Sequence, residues 1–166
     1  MKHTISILVE NHPGVLSRIS GLFSRRSFNI ESLAVGVTDD PTVSRITIIV
    51  EGNEYTVEQV EKQLNKLIDV IKLKTLAPEE MICRELMLVK VSASAADRGE
   101  IISIVKVMGG KICDITRTTL SIELSATSDE LNNTLEILKP YGIKEVVRTG
   151  TIAAQKGSES ISAQKS

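Results

Sequence analysis

The sequence predicts an α+β protein of two ferredoxin-like βαββαβ domains in tandem, each a four-stranded antiparallel sheet with two helices on one face. Three observations predict it. Apolar residues switch between a period of two and a period of about 3.6 in the order strand, helix, strand, strand, helix, strand. The same order returns in the second half, and the run Pro78, Glu79, Glu80 stands between the two. The expected division is a first domain at 1–77, a linker at 78–82, a second domain at 83–157 and a flexible tail at 158–166.

Residues 4–10 place Ile5, Ile7 and Val9 on one face of a strand, and Asn11, His12, Pro13 and Gly14 break it. From Val15 the stripe Val15, Leu16, Ile19, Leu22, Phe23 has helical spacing, so a helix runs to about Arg26. Ile30–Thr38 and Val43–Glu51 read as strands joined by a hairpin at Asp39, Asp40 and Pro41. Thr56 and Gln59 have capping-box spacing ahead of the stripe Val57, Val60, Leu64, Leu67, Ile68, and a strand Val70–Leu76 closes the set.

The second half gives strand Glu85–Ser92, helix Gly99–Met108, strands Lys111–Thr116 and Thr119–Ala126, helix Asp129–Lys139 and strand Ile143–Arg148. Asp97 with Glu100 has capping-box spacing, and Gly109 and Gly110 end the helix. Beyond Gly150 the sequence turns polar and small and reads as a frayed end.

Composition removes several function classes. With 20 basic and 21 acidic residues the net charge is -1, so no strong field draws in nucleic acid. The βαββαβ order also builds RNA-recognition domains, but those stack bases on strand aromatics. Here Phe23 lies on a helix stripe, and Phe28, Tyr55 and Tyr141 fall in expected connections. No apolar run is long enough to span a bilayer, which gives the expectation of a cytoplasmic protein without membrane contact. Cys83 and Cys113 form no CxxC or Cys/His cluster, and His3 and His12 have no spaced partner, so neither a metal site nor catalytic machinery is expected.

The remaining candidate is the first strand-to-helix junction. Pro13 suits a first helical turn, Gly14 leaves room beside exposed N–H groups, and Asn11 offers an amide. Free N–H groups and the helix dipole favour an anion such as a carboxylate. The same residues also make a plain turn and helix cap. Asn29, at the start of the second strand, would supply a partner for a ligand ammonium, and Val15, Leu16 and Ile30 would receive an aliphatic side chain.

The run ILVENHPGVLSRISGLFSRRSFNIESLAVGVTDD resembles the amino-terminal ACT domain of the acetolactate synthase (acetohydroxyacid synthase) small-subunit family. VSRITIIVEG, QLNKLIDVIKL, CRELMLVKV and YGIKEVVRTG continue the resemblance over about residues 2–157, with Gly36 and Lys156 as departures. The resemblance implies a non-catalytic subunit that activates a separate large catalytic subunit carrying thiamine diphosphate, Mg2+ and FAD, with no cofactor of its own. It further implies feedback inhibition by a branched-chain amino acid, valine first. ACT domains would pair as a homodimer, with the effector held by Asn11, Gly14, Val15 and Leu16 of one chain and Asn29 and Ile30 of the other. A stand-alone ACT-type sensor acting on transcription or another enzyme is the alternative.

Overall fold

The computed structural model describes residues 1–162 and divides the chain into two compact units. Each has the predicted ferredoxin-like α+β fold.

The first unit holds β1 (Lys2–Glu10), α1 (Val15–Arg26), β2 (Asn29–Val37), β3 (Val43–Glu51), α2 (Glu54–Asn65) and β4 (Val70–Leu76). Its antiparallel sheet has the order β2-β3-β1-β4, which leaves β2 as a free edge among the described residues. One face carries Ile5, Ile7 and Val9 of β1 with Ile46, Ile48 and Val50 of β3. These pack with Ile19, Leu22 and Phe23 of α1 and Val57, Val60 and Leu64 of α2 in one buried cluster. The alternation of strand side chains and the 3.6-residue stripe of each helix produce this layering directly.

Two helix starts differ from expectation. α2 is capped by Asn53, whose side chain accepts from Thr56 N–H at 2.9 Å, so the cap lies three residues before the expected Thr56. As a consequence Tyr55 falls inside α2 rather than in a connection. At α1, Gly14 is the cap residue and Pro13 precedes it, outside the first helical turn. Gly14 sits at φ +88, a left-handed conformation in which a Cβ is strained.

The second unit repeats the topology. It holds β5 (Met81–Ser92) from Cys83 on, α3 (Arg98–Val107), β6 (Lys111–Ile115), β7 (Thr119–Ala126), α4 (Ser128–Leu138) and β8 (Ile143–Arg148), with sheet order β6-β7-β5-β8. Met87, Val89, Val91, Leu120, Ile122 and Leu124 line the face against Ile101, Val105, Leu131 and Leu138. Gly109 at φ +79 and the bond from Gly110 N–H to Val105 O end α3 as anticipated. The Asp97–Glu100 capping box does not form, because the Asp97 carboxylate accepts from Ser94 Oγ instead. A complete box appears at Thr127 and Glu130, where the sequence reading placed none. Met81 and Ile82, expected in the linker, open β5.

The largest departure lies beyond Gly150. Residues expected to fray form β9 (Ile152–Gln155) and belong to the first unit, not the second. β9 pairs with β5, whose first residues Met81 and Ile82 fall in the same unit. Three side chains on the sheet face turned away from the helices hold this segment. Ser32 Oγ accepts from Thr151 N–H at 2.9 Å, Arg45 Nη2 donates to Ala153 O at 2.7 Å, and Lys74 Nζ donates to Gln155 Oε1 at 2.7 Å. Ala153 and Thr151 are buried, as are Leu8, Thr47 and Ile49 on that face. The back of the sheet is therefore covered, which a strand pattern of Thr4, Ser6, Leu8 does not announce. In the expected tail, Glu159 accepts from Gln155 Nε2 at 2.9 Å, while residues 163–166 lie outside the described residues.

Candidate functional site

The β1–α1 loop is positioned by its neighbours. Asn11 N–H donates to Thr42 O at 2.8 Å, and Asn11 Nδ2 donates to Pro41 O at 2.9 Å, so the amide pins the loop to the β2–β3 hairpin. Asn11 Oδ1 takes part in neither bond. After Gly14 the helix begins, and Arg18 N–H is the first to bond back, to Gly14 O at 3.0 Å. The N–H groups of Val15, Leu16 and Ser17 belong to the open first turn, where the helix dipole adds partial positive charge.

Val15 corrects one expectation. Its side chain is buried in the core, so only its backbone N–H is available to a ligand. Leu16, 44% exposed, is the apolar side chain that the loop presents.

Besides His12, three charged residues gather at this loop, Glu10, Arg18 and Asp69, and sequence reading singled out none of them. Asp69 precedes β4, and its side chain is 4% exposed. Its Oδ2 accepts from Arg18 Nε at 2.6 Å, its Oδ1 lies 3.0 Å from His12 Nε2, and its main-chain carbonyl accepts from Glu10 N–H at 2.9 Å. The Arg18 guanidinium beside it holds the Asp69 carboxyl below its ordinary value of 3.8. Arg18 also reaches toward Gly14, since a Cβ there would stand 3.3 Å from Arg18 Nη1. An Asp some fifty residues from its Arg leaves no local spacing signal.

An acid-stability prediction follows. A carboxylate whose folded pKa is depressed contributes stability that is present above its unfolded value and is lost as pH falls through the folded one. Thermal denaturation between about pH 6 and pH 3 should therefore show wild type losing stability more steeply than Asp69→Asn. Parallel curves would remove the pair from the acid response.

Asn29 and Ile30 lie elsewhere. Asn29 pairs in register with Glu51, which in turn pairs with Lys2, and its Nδ2 donates to Glu51 Oε2 at 3.3 Å. Asn11 follows Glu10, whose register partner is Val43, at the other end of the same sheet. Eight strand residues separate the two ends, roughly 25 Å. Ile30 is half-buried against the core. Within one chain the structure brings Asn11, Gly14 and Leu16 together and keeps Asn29 and Ile30 away.

Known proteins place this arrangement in context. Residues 5–72 match the family model described as AHAS small subunit-like ACT domain, and residues 84–157 match the model described as small subunit of acetolactate synthase. The acetolactate synthase small subunit of Mycolicibacterium smegmatis is 46% identical over 163 residues, covering 98% of this chain and 96% of the relative. The probable acetolactate synthase small subunit of Archaeoglobus fulgidus is 47% identical over 159 residues, covering 96% and 99%. The crystal structure of the small subunit from Thermotoga maritima superposes with a TM-score of 0.90 at 36% identity, covering 96% of this chain and 99% of that one.

Proposed function

Because the chain belongs to the acetolactate synthase small-subunit family, we propose that it is the regulatory partner of a large catalytic subunit, activating it and making it subject to inhibition by a branched-chain amino acid, valine first. Condensation of two pyruvates to acetolactate and CO2, with thiamine diphosphate, Mg2+ and FAD, takes place on that partner. This chain supplies the sensor. The place of action is the cytoplasm; among the described residues no helix is long and apolar enough to cross a membrane.

The observation that carries the sensor reading is the separation of the two half-sites beside an open edge. Among the described residues β2 has no partner on its outer side, and it exposes Val35 and Val37. Two copies pairing antiparallel along β2 set the Asn29 end of one chain near the Asn11 end of the other, which supports a homodimer with two equivalent sites. The effector carboxylate meets the α1 N-terminus, its ammonium meets Asn11 Oδ1 and Asn29 of the second chain, and its aliphatic side chain meets Leu16 and Ile30. A ligand this small, at about 0.75 kcal/mol per heavy atom, binds in roughly the tens-of-micromolar range.

The regulatory reading is tested by mixing. Purified chain added to the catalytic subunit should raise acetolactate formation from pyruvate, and valine should reverse the gain; no change from either addition would remove this reading.

A further inference from the structure

His12 stands in an unusual setting for an exposed histidine. Its Nδ1 faces Pro13 O at 3.3 Å, and its Nε2 faces Glu10 Oε2 at 3.1 Å and Asp69 Oδ1 at 3.0 Å. All three neighbours are acceptors. A neutral imidazole has one N–H, so its other nitrogen would point a lone pair at an oxygen; only the imidazolium donates on both sides. Asp69 meanwhile ties together the end of β1 through Glu10 N–H, the loop through His12 and α1 through Arg18.

We propose that Asp69 and His12 are positioning residues of the effector loop, and that protonation of His12 tightens effector binding. The inference rests on the effector reading above.

The charge balance gives the direction. The charged groups facing the imidazole region are Glu10 from β1, Asp69 from the turn before β4 and Arg18 from α1. With His12 protonated, two negative and two positive charges cancel. Without that proton the cluster carries one net negative charge beside the helix start that receives the effector carboxylate, and like charges repel there. The backbone carbonyl of Pro13 first, then the Glu10 carboxylate, raise the His12 pKa above its ordinary 6.5. The protonated form therefore predominates below 6.5 and fades as pH rises through the higher folded value. Donor atoms of Glu10, His12 and Asp69 lie within 4.8 Å of one another. A metal cation among them would compete with Arg18 for Asp69 and displace the His12 proton, so the cluster's own cations already serve its carboxylates.

By reciprocity the effector should raise the proton affinity of His12 by the same factor that the proton raises effector affinity, and the His12 pKa by the logarithm of that factor. Isothermal titration of the full chain with L-valine should show binding weaker by about two- to fivefold at pH 8 than at pH 6. His12→Gln should bind with nearly the same affinity at both pH values, while His3→Gln, altering the other histidine, whose Nε2 faces Gly52 O, should keep the wild-type dependence. Asp69→Asn should weaken binding at both and lower the His12 pKa seen by NMR. Should Asp69→Asn not fold, the exposed His12→Gln carries the test. Equal wild-type affinity at both pH values, or unchanged pH dependence in His12→Gln, overturns the linkage and leaves the sensor reading standing. No heat of binding at either pH overturns the sensor reading and the linkage with it.

Discussion

Gly14→Asp is expected to bind valine roughly 10- to 100-fold more weakly than wild type, equivalent to about 1.4 to 2.7 kcal/mol. Gly14 lies directly before the open turn of α1, and a side chain built there approaches Arg18 Nη1 to 3.3 Å. A carboxylate at this position takes the N–H groups and dipole that a ligand carboxylate needs, and repels what remains. It also draws Arg18 toward itself. Gly14→Ala separates these effects, because at φ +88 it carries backbone strain of about 1 kcal/mol but no charge. The Ala variant should lower the melting temperature with modest change in valine affinity, whereas the Asp variant should abolish inhibition of the mixed enzyme at valine concentrations that inhibit wild type. Full inhibition of Gly14→Asp at those concentrations would move the effector site elsewhere.

Arg148→Ala should cost about 3 kcal/mol of stability. Glu85 is buried on β5, and Arg148 on β8 answers it with two bonds, Nε to Oε1 at 2.8 Å and Nη2 to Oε2 at 2.9 Å. The guanidinium also donates to Asn132 Oδ1 at 2.6 Å and Ser128 Oγ at 3.2 Å, joining β8 to α4. Truncation leaves a buried carboxylate with no charged partner. The partial exposure of Arg148 holds the estimate to the low end of what breaking such a pair costs. In a domain of this size the loss corresponds to roughly 10 °C or more in melting temperature. The double variant Glu85→Leu, Arg148→Met should recover most of it, since neither charge then needs solvation. A melting shift below about 3 °C for Arg148→Ala would show that water or a rearranged neighbour answers Glu85.

Legibility in the sequence followed the range of the interaction. The boundaries of α1, β3, β4, β7 and β8 could be read because each is set by local periodicity and breakers, as Val43–Glu51 and Thr119–Ala126 show. Caps were harder, because Asn53 and Thr56 both suit a helix start and only the backbone decides which one turns its side chain onto an N–H. The Asn11–Gly14 loop could be found from Pro and Gly chemistry, but not that Val15 turns inward, since a residue on an apolar stripe has the same letter whether it meets ligand or core. Asp69 and Arg18 meet through the fold alone, as do Arg45 and Ala153, and no short-range pattern foretells such pairs.

The return of β9 to the first unit has a consequence for how the chain is made. The ribosome finishes residues 1–82 early, yet Thr151 and Ala153, which Ser32 and Arg45 hold, emerge only about 70 residues afterwards. At ordinary elongation rates that is a wait of several seconds. Throughout it the nascent first unit lacks its last strand, so the unit that is translated first matures last, and a chain stalled before residue 151 offers chaperones and proteases an unfinished surface that the completed protein never shows.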